Sequence, residues 1–322
     1  MRLDVVVPTY NRSQLLRRTI ASLQKAVVPP GLEVGILIVD NNSSDDTAAV
    51  VEEMRQTAKI PTSYFRERKQ GLSHARNAGI AACKGDLVAF IDDDEEVAET
   101  WYEVVQREFQ DGATEFIGGP YLANWAAPAP SWLPLGYHAV IGVVDPKPRA
   151  IMDAAFSGNL MGGNAVIRRG VFDRVGTYSG KLGRSGKGLL SEEDAEFYRR
   201  LLAAGVRGFH APDLIIYHYI PVERLTRSYH RRWCYWRGVS QGVLDRDLRE
   251  PVPYTFGLPR YRIGRALQGL VAWVKYSVRQ LNAAKAFAAE LTLWDLGGFI
   301  HGKHFARIER YYEKETRTQS AS

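Results

Sequence analysis

The feature that most constrains the fold is a regular alternation of short apolar segments and helical patterns over the first 118 residues. Four segments rich in β-branched and apolar residues have the length and composition of strands buried on both faces. They are residues 3–7 (LDVVV), 34–39 (VGILIV), 62–65 (TSYF) and 87–91 (LVAFI). The alternation predicts an α/β fold with a Rossmann-like, mostly parallel sheet and helices on both faces.

Polar clusters follow three of these strands. PTYNR begins at Pro8, DNNSSDD at Asp40 and DDDEE at Asp92. Sheets of this kind bind ligands at the carboxyl ends of their strands. The sequence therefore predicts a ligand site built from these three clusters.

The cluster DDDEE places like charges at the end of a buried strand. A divalent cation, Mg²⁺ or Mn²⁺, would stabilise them, since such ions take a few carboxylate oxygens and complete their shell with phosphate. In an extended chain Asp92 and Asp94 face the same way and could address one metal. The alternative is that the acidic residues occupy the first turn of a helix over 97–109, which accounts for Glu95 and Glu96.

The four stretches VVVPTYNR, VDNNSSDDT, GLSHARNAG and IDDD, in this order and spacing, resemble family 2 glycosyltransferases. The similarity runs from Arg2 to about Gly119, with weaker signals to Tyr219. It implies a GT-A fold and an inverting, metal-dependent transfer of a sugar from a nucleoside diphosphate sugar to an acceptor hydroxyl, in polysaccharide or lipid-linked glycan synthesis.

The resemblance also implies roles for single residues. Pro8, Thr9, Tyr10 and Arg12 belong to the nucleotide-binding motif, Asp40 would bind the base and Arg76 would face the nucleotide. Asp92 and Asp93 would lie near the nucleotide, while Asp94, with Asp92, would hold the metal. His218, after the strand 214–217, is either a third metal ligand or a buried structural histidine.

The stretch LLSEEDAEFYRRLLAAG predicts a helix over 192–204. Ser191 and Asp194 fit a capping box, which is the structural interpretation of these acids. Inverting transfer also needs a carboxylate that takes the proton of the acceptor hydroxyl. Glu193, Asp194 and Glu196 resemble the family's catalytic signature, which implies that Asp194 is the base, with Glu193 as the alternative.

Acceptor choice is expected to lie in residues 119–150 and in the chain after residue 220, and the candidate acceptor-binding residues are Trp125, Trp132, Gly163 and Asn164. Trp125 and Trp132 could stack on sugar rings or pack in a core. Gly163 and Asn164 resemble a family turn near the donor sugar. We therefore divide the chain into a nucleotide-sugar-binding half (1–118), an acceptor-binding and catalytic half (119–220) and a helical extension (221–322).

The helical extension is basic. It has 18 Lys and Arg against 9 Asp and Glu, or +9, while the rest of the chain carries −3 of the total of +6. Apolar residues recur at helical spacing among cations, and this pattern fits either packing on the catalytic domain or an anionic cytoplasmic membrane surface. The apolar residues are Leu267, Leu270, Val271, Val274, Val278 and Leu281, and the cations are Arg265, Lys275, Arg279 and Lys285.

Other classes of protein are disfavoured. No nucleic-acid-binding module is readable in the sequence. Two cysteines are too few for a disulfide framework, which indicates a cytoplasmic protein. At most, we expect peripheral attachment to the inner face of the membrane. A sugar nucleotidyltransferase would need a Gly-rich phosphate loop with a lysine after the first strand. A non-catalytic nucleotide- or glycan-binding module would not need both the aspartate cluster and the Glu193 cluster.

Overall fold

The structure is a computed structural model that describes residues 1–133, 140–180, 182–184, 189–247, 249–278 and 282–306. Its chain forms two compact units. One, the sheet unit, comprises Met1–Asn124, Val143–Gly186 and Glu193–Tyr219. The other, the helical unit, comprises Trp125–Gly142, Lys187–Glu192 and Ile220–Ser322.

The sheet unit is built on eight strands. They are β1 (Arg2–Thr9), β2 (Glu33–Asp40), β3 (Thr62–Arg66), β4 (Leu87–Phe90), β6 (Phe116–Gly118), β8 (Ala150–Ile151), β9 (Ala165–Arg168) and β10 (Gly208–His210). Their order in the sheet is β3-β2-β1-β4-β9-β6-β10-β8. Strands β3, β2, β1 and β4 are mutually parallel, whereas β9 runs antiparallel to both β4 and β6.

Helices cover both faces of this sheet, as the alternation predicts. Val5 of β1 belongs to a core cluster that includes Leu16 and Trp101, whereas its neighbour Val6 belongs to a second cluster with Ala75 and other residues. Successive strand residues point to opposite faces, so the two clusters are the two sides of one sheet. The helices are α1 (Ser13–Lys25), α2 (Thr47–Gln56), α3 (Leu72–Ala82), α4 (Trp101–Glu108), α5 (Arg169–Val175) and α6 (Glu193–Ala203).

A small second sheet lies after the aspartate cluster. It consists of β5 (Glu95–Val97), β11 (Ile216–Ile220) and β7 (Tyr121–Trp125), with β11 in the middle. The helix expected over 97–109 is therefore shorter and begins only at Trp101. The reason is that Glu95 pairs with His218 of β11 in an antiparallel ladder, which draws residues 95–97 into a strand.

The helical unit consists mainly of α7 (Arg227–Asp247), α8 (Arg260–Val278) and α9 (Ala283–His304), with a hairpin of β12 (Tyr254–Thr255) and β13 (Leu258–Pro259). Asp295 of α9 accepts hydrogen bonds from Arg237 Nε at 2.9 Å and from Arg262 Nη1 at 3.1 Å. These ion pairs tie α7 and α8 to α9. Within the described residues, no helix is long and apolar enough to cross a membrane.

Helix α8 contains most of the predicted apolar stripe, but packs by a different face. Arg262, Ala266 and Gly269 are its buried residues. The stripe from Leu267 to Val278 is exposed instead. Arg279 and Leu281 lie outside the described residues.

Candidate active site

The aspartate cluster forms a turn at the end of β4. The amide of Glu95 donates to the carbonyl of Asp92 at 3.2 Å, and the carboxylate of Glu95 accepts from the amide of Asp92 at 2.8 Å. The chain is therefore not extended here, and the expectation that Asp92 and Asp94 face one way is wrong. The turn directs Asp92 to Arg76, whereas Asp93 and Asp94 share Arg12.

Asp93 points into the protein. Its carboxylate accepts hydrogen bonds from Thr9 Oγ1 at 2.9 Å and from Arg12 Nη1 at 3.0 Å, and the amide of Tyr10 lies 3.4 Å away. Burial raises the pKa of Asp93 to about 6, against the opposing effect of the Arg12 charge. The carboxylate thereby fastens the turn to the motif that follows β1.

Asp94 lies between a cation and a histidine. Its Oδ2 atom is 3.0 Å from Arg12 Nη1 and 3.6 Å from His218 Nε2. The pKa of Arg12 is raised, chiefly because Asp93 and then Asp94 stabilise its charge. One guanidinium thus joins the second and third aspartates of the cluster.

The predicted metal ligands are only partly brought together. Across the part of the chain that the structure describes, no three His, Cys, Asp or Glu side chains are grouped so that they could hold a metal ion. Asp92, which turns to Arg76, is not in the Asp94–His218 pair. The two residues of that pair fit a divalent ion that takes its remaining ligands from a diphosphate and water.

Arg76 of α3 joins the donor edge of the sheet to the catalytic signature. Its side chain is 1% exposed, yet Nη2 lies 3.1 Å from Asp92 Oδ1 and Nη1 lies 2.8 Å from Asp194 Oδ1. Its Nε atom is buried and has no hydrogen-bond partner within the described residues. Arg76 therefore faces carboxylates from two parts of the chain, whereas the resemblance implied that it faces the nucleotide.

Glu193 and Asp194 begin α6 with different environments. Asp194 is held by Arg76 and by the amide of Gly162, whose nitrogen lies 2.9 Å from Asp194 Oδ2. Glu193 is 3.8 Å from Arg76, and its side chain is 8% exposed against 22% for Asp194. Asp194 is therefore both the better paired and the more accessible of the two.

Burial raises the pKa of both acids, and their neighbours modify this shift. It raises the pKa of Glu193 to about 8, with a further contribution from the Asp194 charge, and Arg76 opposes this only in part. The pKa of Asp194 is also raised by burial, but Arg76 and the Gly162 amide counteract the effect. Burial therefore favours the protonated form of Glu193, whereas Arg76 and the Gly162 amide favour the charged form of Asp194.

Two glycines make room for these acids. An added Cβ at Gly162 would lie 2.3 Å from Asp194 Oδ1, and one at Gly163 would lie 2.4 Å from Glu95 Oε1. Such distances are far inside van der Waals contact, so only glycine allows the backbone to approach these carboxylates. Gly163 thus backs the buried acid of the turn, a role that differs from the predicted acceptor contact.

Glu95 is a site residue that sequence reasoning assigned to a helix. It is 2% exposed, and burial, together with the charges of Asp92 and Asp94, raises its pKa well above the ordinary value. Its carboxylate holds the amide of Asp92. The signal in the sequence was the fourth consecutive acid after a buried strand, which a helical first turn explained equally well.

The nucleoside-pocket residues lie at the ends of β1 and β2. Pro8 is opposite Val39 and Thr9 is opposite Asp40 in a parallel register. Asp40 accepts from the amide of Ser43 at 2.8 Å and from the hydroxyl of Tyr64 at 2.5 Å. Tyr64 was not singled out from the sequence, and burial together with its bond to Asp40 raises its pKa to about 12.

The acceptor candidates are not brought together. Asn164 is fully buried, and its amide fastens the carbonyl of Leu214 at 2.7 Å while its carbonyl oxygen accepts from Trp101 Nε1 at 3.1 Å, which corrects its acceptor role. Trp132 packs edge-on against His230 and Phe287 in the helical unit, as the core-packing alternative has it. Trp125 is exposed.

Comparison with known proteins defines the class. The family described as glycosyl transferase family 2 matches residues 4–176. A mannosyltransferase from Pyrobaculum calidifontis, solved in complex with GDP-Man and Mn²⁺, superimposes with a TM-score of 0.63 at 16% identity, covering 95% of this chain and 88% of that one. TarS from S. aureus matches at a TM-score of 0.52 and 18% identity, over 73% of this chain and 39% of that chain.

The fold is thus of the GT-A type, and the protein is a glycosyltransferase. The chain belongs to glycosyl transferase family 2. Among curated relatives, the succinoglycan biosynthesis protein ExoM of Rhizobium meliloti is 25% identical over 76% of this chain and 75% of its own length. The glucosyl-dolichyl phosphate glucuronosyltransferase of Haloferax volcanii is 24% identical over 76% of this chain and 78% of its own.

Proposed function

We propose that this protein transfers a hexose from a nucleoside diphosphate sugar to an acceptor hydroxyl with inversion, in the synthesis of a polysaccharide or lipid-linked glycan. The observation that carries the proposal is the bridge from Asp92 through Arg76 to Asp194. It joins the carboxyl edge of the sheet, where donors bind in such folds, to a carboxylate suited to be the base. The names of the relatives support the acceptor class.

The donor is assigned to the edge formed by β1, β2 and the aspartate turn. Pro8 and Tyr10 would line the nucleoside, and Asp40 would accept from its base at the place where it now binds the amide of Ser43. Asp93, which accepts from Thr9 Oγ1, also accepts from Arg12 Nη1 and would hold Arg12 beside the diphosphate. A guanidinium suits phosphate because it offers several donors in a fixed plane.

A divalent ion, Mn²⁺ or Mg²⁺, would be held by Asp94 with His218, and when bound it would supply positive charge for the departing diphosphate. Asp92, whose carboxylate pairs with Arg76, would lie near the ribose. The P. calidifontis fold relative was solved with Mn²⁺, which supports the choice of a divalent ion.

Asp194 is proposed to take the proton of the acceptor hydroxyl. As that oxygen attacks the anomeric carbon, the new C–O bond forms on the face opposite the leaving nucleoside diphosphate, whose C–O bond breaks. The pKa of Glu193, which burial raises to about 8, makes Glu193 the weaker candidate for the base at neutral pH. Arg76 is a positioning residue that holds Asp194 ionised and in place.

The test is to separate chemistry from donor binding. Asp194→Asn should lower the turnover of donor in the presence of acceptor by at least about 100-fold, while calorimetry shows unchanged binding of the nucleoside diphosphate. Glu53→Gln removes an exposed acid of α2 that pairs with Arg17 and should remain active. Full activity of Asp194→Asn would overturn the assignment of the base.

The proposed location is the cytoplasm, with peripheral attachment to the inner membrane face, where a lipid-linked acceptor would be found. Such an acceptor would supply the hydroxyl next to the bilayer. Attachment would come from the helical unit, whose residues from 221 onward carry the excess of positive charge.

A further inference from the structure

Helix α8 carries an apolar face that the described protein leaves uncovered. Leu267, Leu270, Val271, Val274 and Val278 follow the spacing i, i+3, i+4, i+7, i+11, which places them on one side of a helix. Their exposures run from 43% for Leu270 to 77% for Val278, with 69% for Val271. Single exposed apolar residues are common, but a continuous row of this length indicates a binding surface.

The face cannot turn inward, because the opposite side of α8 is fixed. Arg262 pairs with the buried Asp295 of α9 at 3.1 Å. Gly269 lies so close to α9 that an added Cβ would be 2.0 Å from Thr292 Oγ1. Ala266, between them, is 4% exposed. Rotation of α8 would break these contacts, so the exposure belongs to the fold.

The charge around this face selects the partner. Apart from Arg262, which pairs with Asp295 on the buried side, the chain from Arg260 to Ala289 contains five Lys or Arg and no Asp or Glu. Lys275 of α8 and Lys285 of α9 each lie 5.8 Å from the ring centroid of Tyr276, at the carboxyl end of α8. Two copies of this chain joined by α8 would bring these cations together, whereas a negatively charged surface would neutralise them.

We propose that α8 is a membrane-binding helix that lies in the plane of an anionic phospholipid bilayer. Its apolar face enters the boundary between headgroups and acyl chains, and its lysines bind the lipid phosphates. The helix lies on the bilayer because it is not long and apolar enough to cross it. Membrane binding by α8 does not depend on the proposed sugar transfer. Access to a lipid-linked acceptor, which this binding would provide, rests on the proposed function.

The experiment is flotation of the full chain with vesicles of phosphatidylcholine, with and without phosphatidylglycerol, at low and high salt. Wild type should bind the anionic vesicles at low salt and bind less at high salt. The double variant Val271→Glu/Val274→Glu should bind at least about tenfold more weakly. A matched control is Val27→Glu in the sheet unit, because Val27 is 46% exposed and Val274 is 47% exposed.

A second copy of the chain as the occupant of this face would give a distinct result. If wild type self-associates without vesicles and the double variant is monomeric, the face joins two copies and the proposal is overturned. It is also overturned if wild type does not bind anionic vesicles. A further contradicting result is that Val271→Glu/Val274→Glu and Val27→Glu both bind anionic vesicles as wild type does. A second variant, Lys275→Gln/Lys285→Gln, should reduce the salt-dependent part of binding and leaves the apolar face intact.

Further measurements on two variants distinguish a loss of membrane binding from a failure of folding or of catalysis. Circular dichroism and nucleotide binding of Val271→Glu/Val274→Glu should match wild type, because the substituted side chains are exposed. Asp194→Asn should bind vesicles like wild type even though its transfer is lost. Vesicle binding by Asp194→Asn with no transfer by wild type would remove the proposed function and leave the membrane site standing.

Discussion

Arg76 Nη1 lies 2.8 Å from Asp194 Oδ1, although 118 residues separate the two in the chain. The same guanidinium binds Asp92 and is almost fully buried. The buried cation favours the charged form of Asp194, whose protonation burial alone would favour. The contact therefore determines both where the proposed base lies and whether it is charged.

Replacement of Arg76 should damage the base without removing it. In Arg76→Gln, Asp194 loses its cation, so its pKa rises and the acidic limb of the pH profile of kcat should move to higher pH. We expect kcat to fall by at least about 100-fold and the free energy of unfolding to fall by about 3 kcal/mol.

Arg76→Lys is the matched control for that change. It keeps the charge but cannot bind Asp92 and Asp194 with two separate nitrogens, so it should restore the acidic limb and only part of kcat. A pH profile of Arg76→Gln that coincides with that of wild type would contradict the role of Arg76.

Glu193 should make stability depend on pH. Its pKa rises from 4.5 to about 8 on folding, so the folded state binds the proton more tightly. That contribution to stability is fully present below pH 4.5 and is lost as the pH rises through about 8. Urea unfolding from pH 5 to 9 should show this loss, on the order of 3 kcal/mol, in wild type.

The variant Glu193→Gln cannot ionise, and its unfolding free energy should vary less over the same range. Glu53→Gln should keep the slope of wild type, because the hydrogen bond from Arg17 lowers the pKa of Glu53 from 4.5, below the tested range. Equal slopes for wild type and Glu193→Gln would show that Glu193 ionises normally in the fold.

A single methyl group at Gly162 should disturb both charged partners. The added Cβ of Gly162→Ala would lie 2.3 Å from Asp194 Oδ1 and 2.5 Å from Arg76 Nη1. We expect kcat to fall by at least about tenfold. At Gly170 of α5 an added Cβ meets nothing within 4 Å, so Gly170→Ala should be fully active and more stable by about 0.5 kcal/mol. Steady-state kinetics and thermal unfolding of the two variants check this contrast.

The pocket at Asp40 should govern nucleotide affinity with little effect on chemistry. Asp40→Asn removes a negative acceptor, and Kd for the nucleoside diphosphate should rise by about tenfold or more. Tyr64→Phe removes the hydroxyl that donates to Asp40, and a smaller rise in Kd is expected. Calorimetry measures both values, and an unchanged Kd in Asp40→Asn would remove Asp40 from the donor site.

Much of the sheet could be predicted because its strands are buried on both faces. The segments 3–7 and 34–39 lie inside β1 and β2, and the helix expected over 192–204 is α6, Glu193–Ala203. The apolar pattern alone determines these elements, since water is excluded from both sides of each strand. Family membership and the GT-A fold, which the motifs implied, are likewise confirmed.

The aspartate turn could not be predicted, because its conformation depends on partners distant in the chain. Thr9 and Arg12 hold Asp93, and His218 pairs with Glu95 across the small sheet. Local sequence offers only a row of acids, which fits a helix start or an extended chain equally well. The contact of Arg76 with Asp194 is hidden for the same reason.

The exposed face of α8 shows a second limit. Helical spacing indicates that Leu267 and Val271 share a face, but spacing does not tell whether protein covers that face. The buried face of α8 is instead formed by Arg262, Ala266 and Gly269. Where α8 closely approaches α9, only a small residue and a paired arginine fit. Neither kind of residue contributes to an apolar pattern in the sequence.

The most direct test of the central claim is calorimetric titration of UDP, GDP and dTDP, each with and without Mn²⁺, into wild type and Asp94→Asn. We expect one nucleotide to bind wild type in a Mn²⁺-dependent manner, and we expect Asp94→Asn to lose the dependence on Mn²⁺. That result would also identify the base of the donor. If none of the three nucleotides binds wild type under either condition, the aspartate turn is not a donor site and the proposed transfer is contradicted.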